Sequence, residues 1–210
     1  TGFAYGPLGS THYAIEDIAI LRSLPNITIL SPSDSVETKA LTLQTYKKPG
    51  PTYMRLLKPE TVLVPQKVKT VLSEPSVIVT GNHGAIITTG AVLEIGLSVA
   101  ENLKKHGLQV KLISMHTLKP IDEKVLMAIL KNQKNIFTIE EHRVAGGLGS
   151  IIAEFTARFI ARSDPAIPAI NLRSFGVDDT YPNITGHQHH LAEHHGINAD
   201  VIAKKIIKLL

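Results

Sequence analysis

The chain has 210 residues, 43% of them hydrophobic, no cysteine and a formal net charge of 22 − 18 = +4, enough apolar material for one large or two small packed domains and no basis for a disulfide framework or thiolate metal site. The charge surplus is spread evenly, aromatics are 5% and no run of five basic residues occurs, which argues against a nucleic-acid partner. No apolar run approaches the roughly 18 residues of a membrane span and no secretory start is visible, so a soluble protein without a membrane partner is expected, with the cytoplasm as its simplest home.

The sequence opens on Thr1 rather than Met and enters at once a glycine-rich loop, which suggests a segment of a longer polypeptide. The first predicted helix runs from about Tyr13 to Leu24, followed by a strand Ile27–Leu30, a helix from about Ser35 to Tyr46 and a strand Thr52–Leu56. Asp34 three residues before Glu37 forms a capping-box-like start, and Val36, Ala40 and Leu43 recur at helical spacing as one buried stripe. Lys47-Lys48-Pro49-Gly50-Pro51 stops this helix with cations near its negative pole.

Residues 59–75 lack a sustained period and read as a linker. From Ser76 a hairpin is predicted, Val77–Thr80 and Ala85–Thr89 joined by Gly81-Asn-His-Gly84. Strand and helix then alternate: helix Ala91–His106, with Val92, Ile95, Val99 and Leu103 on one face, strand Val110–Ser114, helix Asp122–Lys131, strand Ile136–Glu140, helix Gly149–Arg162 and strand Ile170–Ser174. A last helix starts at about Asp200. Such alternation predicts an α/β fold in which a doubly wound, mostly parallel sheet carries helices on both faces.

Four groups of residues invite chemistry. His12 follows Gly6, Gly9, Ser10 and Thr11 at a predicted helix mouth, where backbone N–H groups favour anions and carbonyl oxygens and an imidazole can exchange hydrogen bonds with a hydroxyl; the plainer reading is that Ser10 or Thr11 caps the helix and His12 lies on the surface. Arg55 and Lys58 stand at a strand end, where α/β layers face ligand crevices, so either could hold a phosphate or simply solvate its charge. Gly146-Gly147-Leu148-Gly149 follows a strand and opens a helix, but no third glycine completes a dinucleotide fingerprint and close helix–strand packing explains the glycines better. His187, His189, His190, His194 and His195 place two imidazoles four apart; without a suitably placed carboxylate a solvent-exposed histidine-rich turn is preferred to a metal site.

The run Gly-Ser-Thr-His12 … Glu16 … Leu-Arg22-Ser-Leu-Pro-Asn26 … Pro-Ser-Asp34 … Glu37-Thr, together with Lys119-Pro120-Ile121-Asp122 and Glu140-Glu141-His142 ahead of Gly146-Gly-Leu-Gly149, resembles the transketolases and their thiamine-diphosphate relatives, including 1-deoxyxylulose-5-phosphate synthase. The resemblance covers nearly the whole chain. It implies that residues 1–58 form the second half of a pyrimidine-binding α/β domain and residues 76–210 a transketolase C-terminal-type domain. It implies an enzyme that transfers a two-carbon ketol unit between sugar phosphates with thiamine diphosphate and Mg²⁺, in which His12 contacts sugar hydroxyls near the reacting carbon. By position Lys58 takes the place of a phosphate-gripping arginine, and Leu8 that of an aspartate that accepts from sugar hydroxyls. The Glu140-Glu141-His142 run is implied to serve domain packing and dimerisation. The family's pyrophosphate-binding run and cofactor-activating glutamate belong upstream of Thr1, so neither cofactor is expected to bind tightly to this chain alone; the missing part or a separate subunit is the implied partner, and a homo-dimer the implied assembly. A 1-deoxyxylulose-5-phosphate synthase-like enzyme, the β-type subunit of a 2-oxoacid dehydrogenase and a non-catalytic dimerisation module remain open as alternatives.

Overall fold

A computed structural model of the chain describes residues 1–56, 62–160 and 170–210, and only the backbone of residues 159 and 160. Two sheets organise them. Strands β1 (Thr28–Leu30) and β2 (Thr52–Met54) lie parallel, and β6 (Thr117–Lys119) pairs antiparallel on the other side of β1. The larger sheet contains β3 (Ser76–Val79), β4 (Ala85–Thr88), β5 (Lys111–Ser114), β7 (Asn135–Arg143) and β8 (Asn171–Val177) in the order β3-β5-β4-β7-β8, parallel except at β3. The expected mostly parallel α/β fold is present.

Adjacent residues of the central strands face opposite sides, as the two-residue strand period requires. Ile86, Leu112 and Phe137 join α3 (Leu93–Lys105) and α7 (Ala199–Ile207) in one buried cluster, whereas Ile87, Ile113 and Ile136 join α4 (Glu123–Leu130) and α5 (Leu148–Ile160) in the other. Both clusters take residues from the first segment: Phe3 and Ile15 enter one, Ile18 and Ile29 the other. The stretch from 62 to 75 is stitched to α2 (Ser35–Tyr46): Leu63 and Val64 N–H groups donate to Asp34 Oδ2, and Gln44 donates to the Thr70 carbonyl and accepts from Leu72 N–H. With β6 crossing back, the two sequence segments share sheet and core. Among the described residues no helix is long and apolar enough to cross a membrane.

Three sequence expectations are corrected. The predicted Val77–Thr80/Ala85–Thr89 hairpin does not form, because Asn82 and His83 N–H groups both donate to the Gln109 carbonyl and β5 slots between β3 and β4. The first helix is only α1 (Asp17–Leu21); Ser10–His12 forms a separate 3-10 turn and Tyr13 is extended. The buried side of α2 carries Glu37 and Leu41 rather than Val36, Ala40 and Leu43, and Leu43 is 57% exposed. Glu37 is tolerated there because Ser33 N–H, Ser33 Oγ and Ser114 Oγ donate to its carboxylate at 2.7, 2.8 and 2.7 Å, satisfying a group whose burial would otherwise be costly. A short helix, α6 (Gln188–His194), also occupies the histidine-rich stretch.

Candidate active site

Residues 2–14 form a loop closed at its neck by reciprocal bonds between Gly2 and Ala14, each N–H donating to the other's carbonyl at 3.0 Å. Such a compact loop with adjacent ends is packed by its own side chains and suited to presenting residues at the surface. Phe3 is its internal anchor, fully buried and meeting Tyr13 edge-on at 5.2 Å between ring centroids. At the rim, His12 is exposed and its Nδ1 lies 3.0 Å from Thr11 Oγ1. A threonine hydroxyl donates or accepts by rotation, so His12 Nε2 can act toward a ligand either as donor or as acceptor. Leu8, 58% exposed, stands on the same loop. The structure therefore brings His12 and Leu8 onto one solvent-facing loop.

Arg55 sits at the base of this loop. It is 2% exposed, and its guanidinium donates to Asp17 Oδ2 at 2.7 Å, to the Ala14 carbonyl at 2.6 Å and to the Glu141 carbonyl at 3.4 Å. Tyr53 shares the same Asp17 oxygen at 2.8 Å, and burial together with this bond pushes the phenol up to about 12. A buried guanidinium must be paired, and this one is spent on the base of the His12 loop, leaving no free fork for a substrate phosphate. Lys58 lies outside the described residues.

The Glu140-Glu141-His142 run lines the seam with the first segment. His142 Nδ1 donates to the Arg143 carbonyl at 2.7 Å, which leaves Nε2 as acceptor for Ala19 N–H at 3.5 Å; burial holds this histidine below its usual range, favouring the neutral ring. Glu141 accepts both contacts from Gln188 Nε2, at 3.0 and 2.9 Å, and Arg143 reaches back to Glu16 at 2.8 Å. Asp17, Tyr53, Arg143 and Gln188, which sequence reasoning did not single out, thus hold the loop's foundations. No local pattern marks Asp17, which follows Glu16, or Tyr53, which stands between Thr52 and Met54.

The glycine-rich turn before α5 is filled from within. Glu140 is fully buried and accepts from Leu148 N–H at 2.6 Å and Gly149 N–H at 2.8 Å, the groups that would otherwise greet a phosphate. Burial nevertheless pushes this carboxyl up to about 8. A Cβ on Gly147 would lie 2.0 Å from Glu140 Oε2 and 2.4 Å from the Arg143 carbonyl, so close approach explains the glycine. Among the described residues no group of three or more His, Asp or Glu side chains is arranged to hold a metal ion, the 187–195 histidines included.

Comparison with known proteins bears on the family and the fold. A family model described as transketolase, C-terminal domain, matches residues 75–202, and one described as transketolase, pyrimidine binding domain, matches residues 1–62. An apulose-4-phosphate transketolase subunit of Actinobacillus succinogenes is 30% identical over 210 residues, covering 100% of this chain and 65% of that protein. A 1-deoxy-D-xylulose-5-phosphate synthase of Bacillus velezensis is 36% identical over 155 residues, 71% of this chain and 24% of that one. Among solved structures, a split-gene transketolase described as an inactive β4 tetramer superposes with a TM-score of 0.82 at 28% identity, covering 95% of this chain and 63% of the other. The chain thus spans just under two thirds of the subunit-type relatives it matches.

Proposed function

The chain belongs to the transketolase family, and on that footing we propose that it forms the substrate-side part of an enzyme that transfers a two-carbon ketol unit between sugar phosphates. The observation that carries the reading is His12, exposed on a loop whose base is fixed by the pairing of buried Arg55 with part-buried Asp17. In this reading the imidazole, with its tautomer adjustable through Thr11, exchanges hydrogen bonds with a substrate hydroxyl or carbonyl and handles a proton at Nε2. Lys58 contributes a phosphate contact and Leu8 shapes the pocket beside the reacting carbon. Residues 1–58 present these groups and residues 76–210 serve as the scaffold behind them.

The family's chemistry depends on thiamine diphosphate in the complete enzyme. The glycine-rich helix start at α5 does not fit a pyrophosphate, since Glu140 takes its N–H groups, and among the described residues no group of three or more His, Asp or Glu side chains is placed to hold a metal ion. The reading therefore includes a second polypeptide, or a further part of the same one, that holds the cofactor with Mg²⁺, and a homo-dimeric arrangement of the complete unit, as in a cytoplasmic transketolase.

The test is reconstitution. This chain and its candidate partner are assayed separately and together with thiamine diphosphate, Mg²⁺ and a panel of donors including xylulose 5-phosphate, apulose 4-phosphate, pyruvate and other 2-oxoacids. Ketol transfer by the mixture and silence of this chain alone is the expected result. A decarboxylative carboligation of pyruvate with an aldose phosphate, releasing CO2, would instead support the 1-deoxyxylulose-5-phosphate synthase reading, which the Bacillus velezensis relative keeps in view. Replacing His12 by alanine in the active mixture is expected to lower turnover by roughly 10²–10⁴, the range of one positioned proton-handling group.

A further inference from the structure

The His12 loop does not stand on its own segment alone. The Tyr13 hydroxyl donates to the Ile184 carbonyl at 2.7 Å, with the Gly6 carbonyl at 3.2 Å from the same oxygen. One O–H thus bridges the loop and the strip of chain between β8 and α6. Gly186 N–H adds a longer contact to the Gly6 carbonyl at 3.4 Å, and a Cβ on Gly6 would lie 2.2 Å from the Gly186 carbonyl and 2.5 Å from Leu191 Cδ1. Phe3, against which Tyr13 packs, is itself stacked on His195 at 5.3 Å with the rings 8° from parallel. The loop is seated on the 184–195 strip by one hydroxyl, one glycine and the Phe3–His195 stack, and the residue whose hydroxyl makes the bridge is the immediate neighbour of His12.

We propose that Tyr13 is a positioning residue for His12. By tying the substrate loop to the Ile184–Gly186 strip it makes the C-terminal region part of the working site rather than only a packing element. The proposal rests on the reading of His12 given above. The bond is suited to the task because its acceptors are backbone carbonyls, whose positions follow the fold, and because the phenol is a rigid strut with two rotatable torsions. The Tyr13 pKa is raised by burial, so the hydroxyl keeps its proton as the donor through the neutral range.

The experiment uses the reconstituted enzyme and a double-mutant cycle. Tyr13→Phe keeps the ring against Phe3 and deletes the bridge; kcat is expected to fall about 3- to 10-fold with KM changed less, the size of one net hydrogen bond. The double variant His12→Ala/Tyr13→Phe is expected to be no slower than His12→Ala, because Tyr13 then has nothing left to position. Gly6→Ala, which unseats the loop by a different route, is expected to show the same loss and the same non-additivity. Independently of activity, hydrogen exchange of the Gly9 and His12 amides, which donate within the loop at 3.1 and 3.0 Å, should quicken about tenfold in the Tyr13→Phe form of this chain alone. Silent Tyr13→Phe kinetics, additive losses or unchanged exchange, with His12→Ala crippled, would overturn the positioning role and leave the His12 reading standing. A His12→Ala enzyme of undiminished activity would remove both.

Discussion

Arg55 Nε and Asp17 Oδ2 lie 2.7 Å apart with side-chain exposures of 3% and 14%, an ion pair taken out of water at the point where the first segment meets the larger sheet. Its worth is asymmetric. Two buried charges in good geometry roughly balance their desolvation, whereas removal of one leaves the other unpaired and costs about 3–5 kcal/mol.

Arg55→Ala is therefore expected to lower unfolding free energy by about 3–5 kcal/mol and to loosen the neck of the His12 loop, since the same guanidinium holds the Ala14 carbonyl. Urea denaturation measures the first effect. A stable variant whose only defect is weaker binding of a phosphorylated substrate would return Arg55 to the role of phosphate ligand.

His116 gives a pH prediction of definite sign. It is fully buried between Ser76 Oγ and Thr117 Oγ1, and desolvation lowers its pKa from 6.5 to about 4. The unfolded chain takes up a proton near pH 6.5 that the native state refuses until about pH 4, so this histidine's contribution is intact above 6.5 and lost progressively as pH falls. The full difference is about 3 kcal/mol. Plotted against pH, the stability of the wild type minus that of His116→Gln should rise between pH 4 and 6.5 and level off above 7; a flat difference would show that His116 titrates normally.

How far the sequence carried this picture depends on which forces each element answers to. The strand–helix alternation after Ser76 was legible because β4, β5 and β7 are buried on both faces and their apolar runs stand out. The hairpin was misread because pairing order depends on long-range register: nothing local to Gly81–Gly84 announces that Gln109 will receive two of its N–H groups. On α2 the pattern pointed to the wrong face because the residue turned inward is a glutamate satisfied by Ser33 and Ser114, one of them 77 positions away. His12 and Leu8 were singled out by motif, and Arg55 was placed at a strand end without its partner Asp17, which lies 38 positions earlier.

Gly147→Ala tests the internal filling of the α5 start. With Glu140 Oε2 only 2.0 Å from the new methyl and backbone at 2.4 Å, neither a side-chain shift nor a loop adjustment is cheap, and a loss of about 1–3 kcal/mol is expected. A thermal-shift series with dinucleotides and inorganic phosphate should at the same time show no protection of the wild-type chain. Marked protection by a dinucleotide would mean that Glu140 leaves the helix start and that the turn is a ligand site after all.

Leu8 yields the prediction most particular to this sequence. Its side chain is 58% exposed on the His12 loop; in the proposed reading it takes the place of an aspartate that accepts from sugar hydroxyls, and it offers no acceptor. A substrate hydroxyl pressed against it would give up a water partner for nothing, at about 1–3 kcal/mol, a penalty of roughly one to two decades in kcat/KM. The complete enzyme is accordingly expected to be slow on xylulose 5-phosphate with ribose 5-phosphate and comparatively tolerant of substrates that lack that hydroxyl or present it differently. Leu8→Asp restores the acceptor. Because the position is exposed in this chain, the substitution should leave the unfolding midpoint nearly unchanged while raising kcat/KM for the hydroxylated pair. Competition between an aldose phosphate and its 2-deoxy analogue reads the preference directly: the unmodified enzyme should discriminate little and the variant should favour the hydroxylated sugar. A strong preference for the hydroxylated acceptor before any substitution would mean that another group, Ser10 on the loop or Glu16 just beyond it, already supplies the missing oxygen.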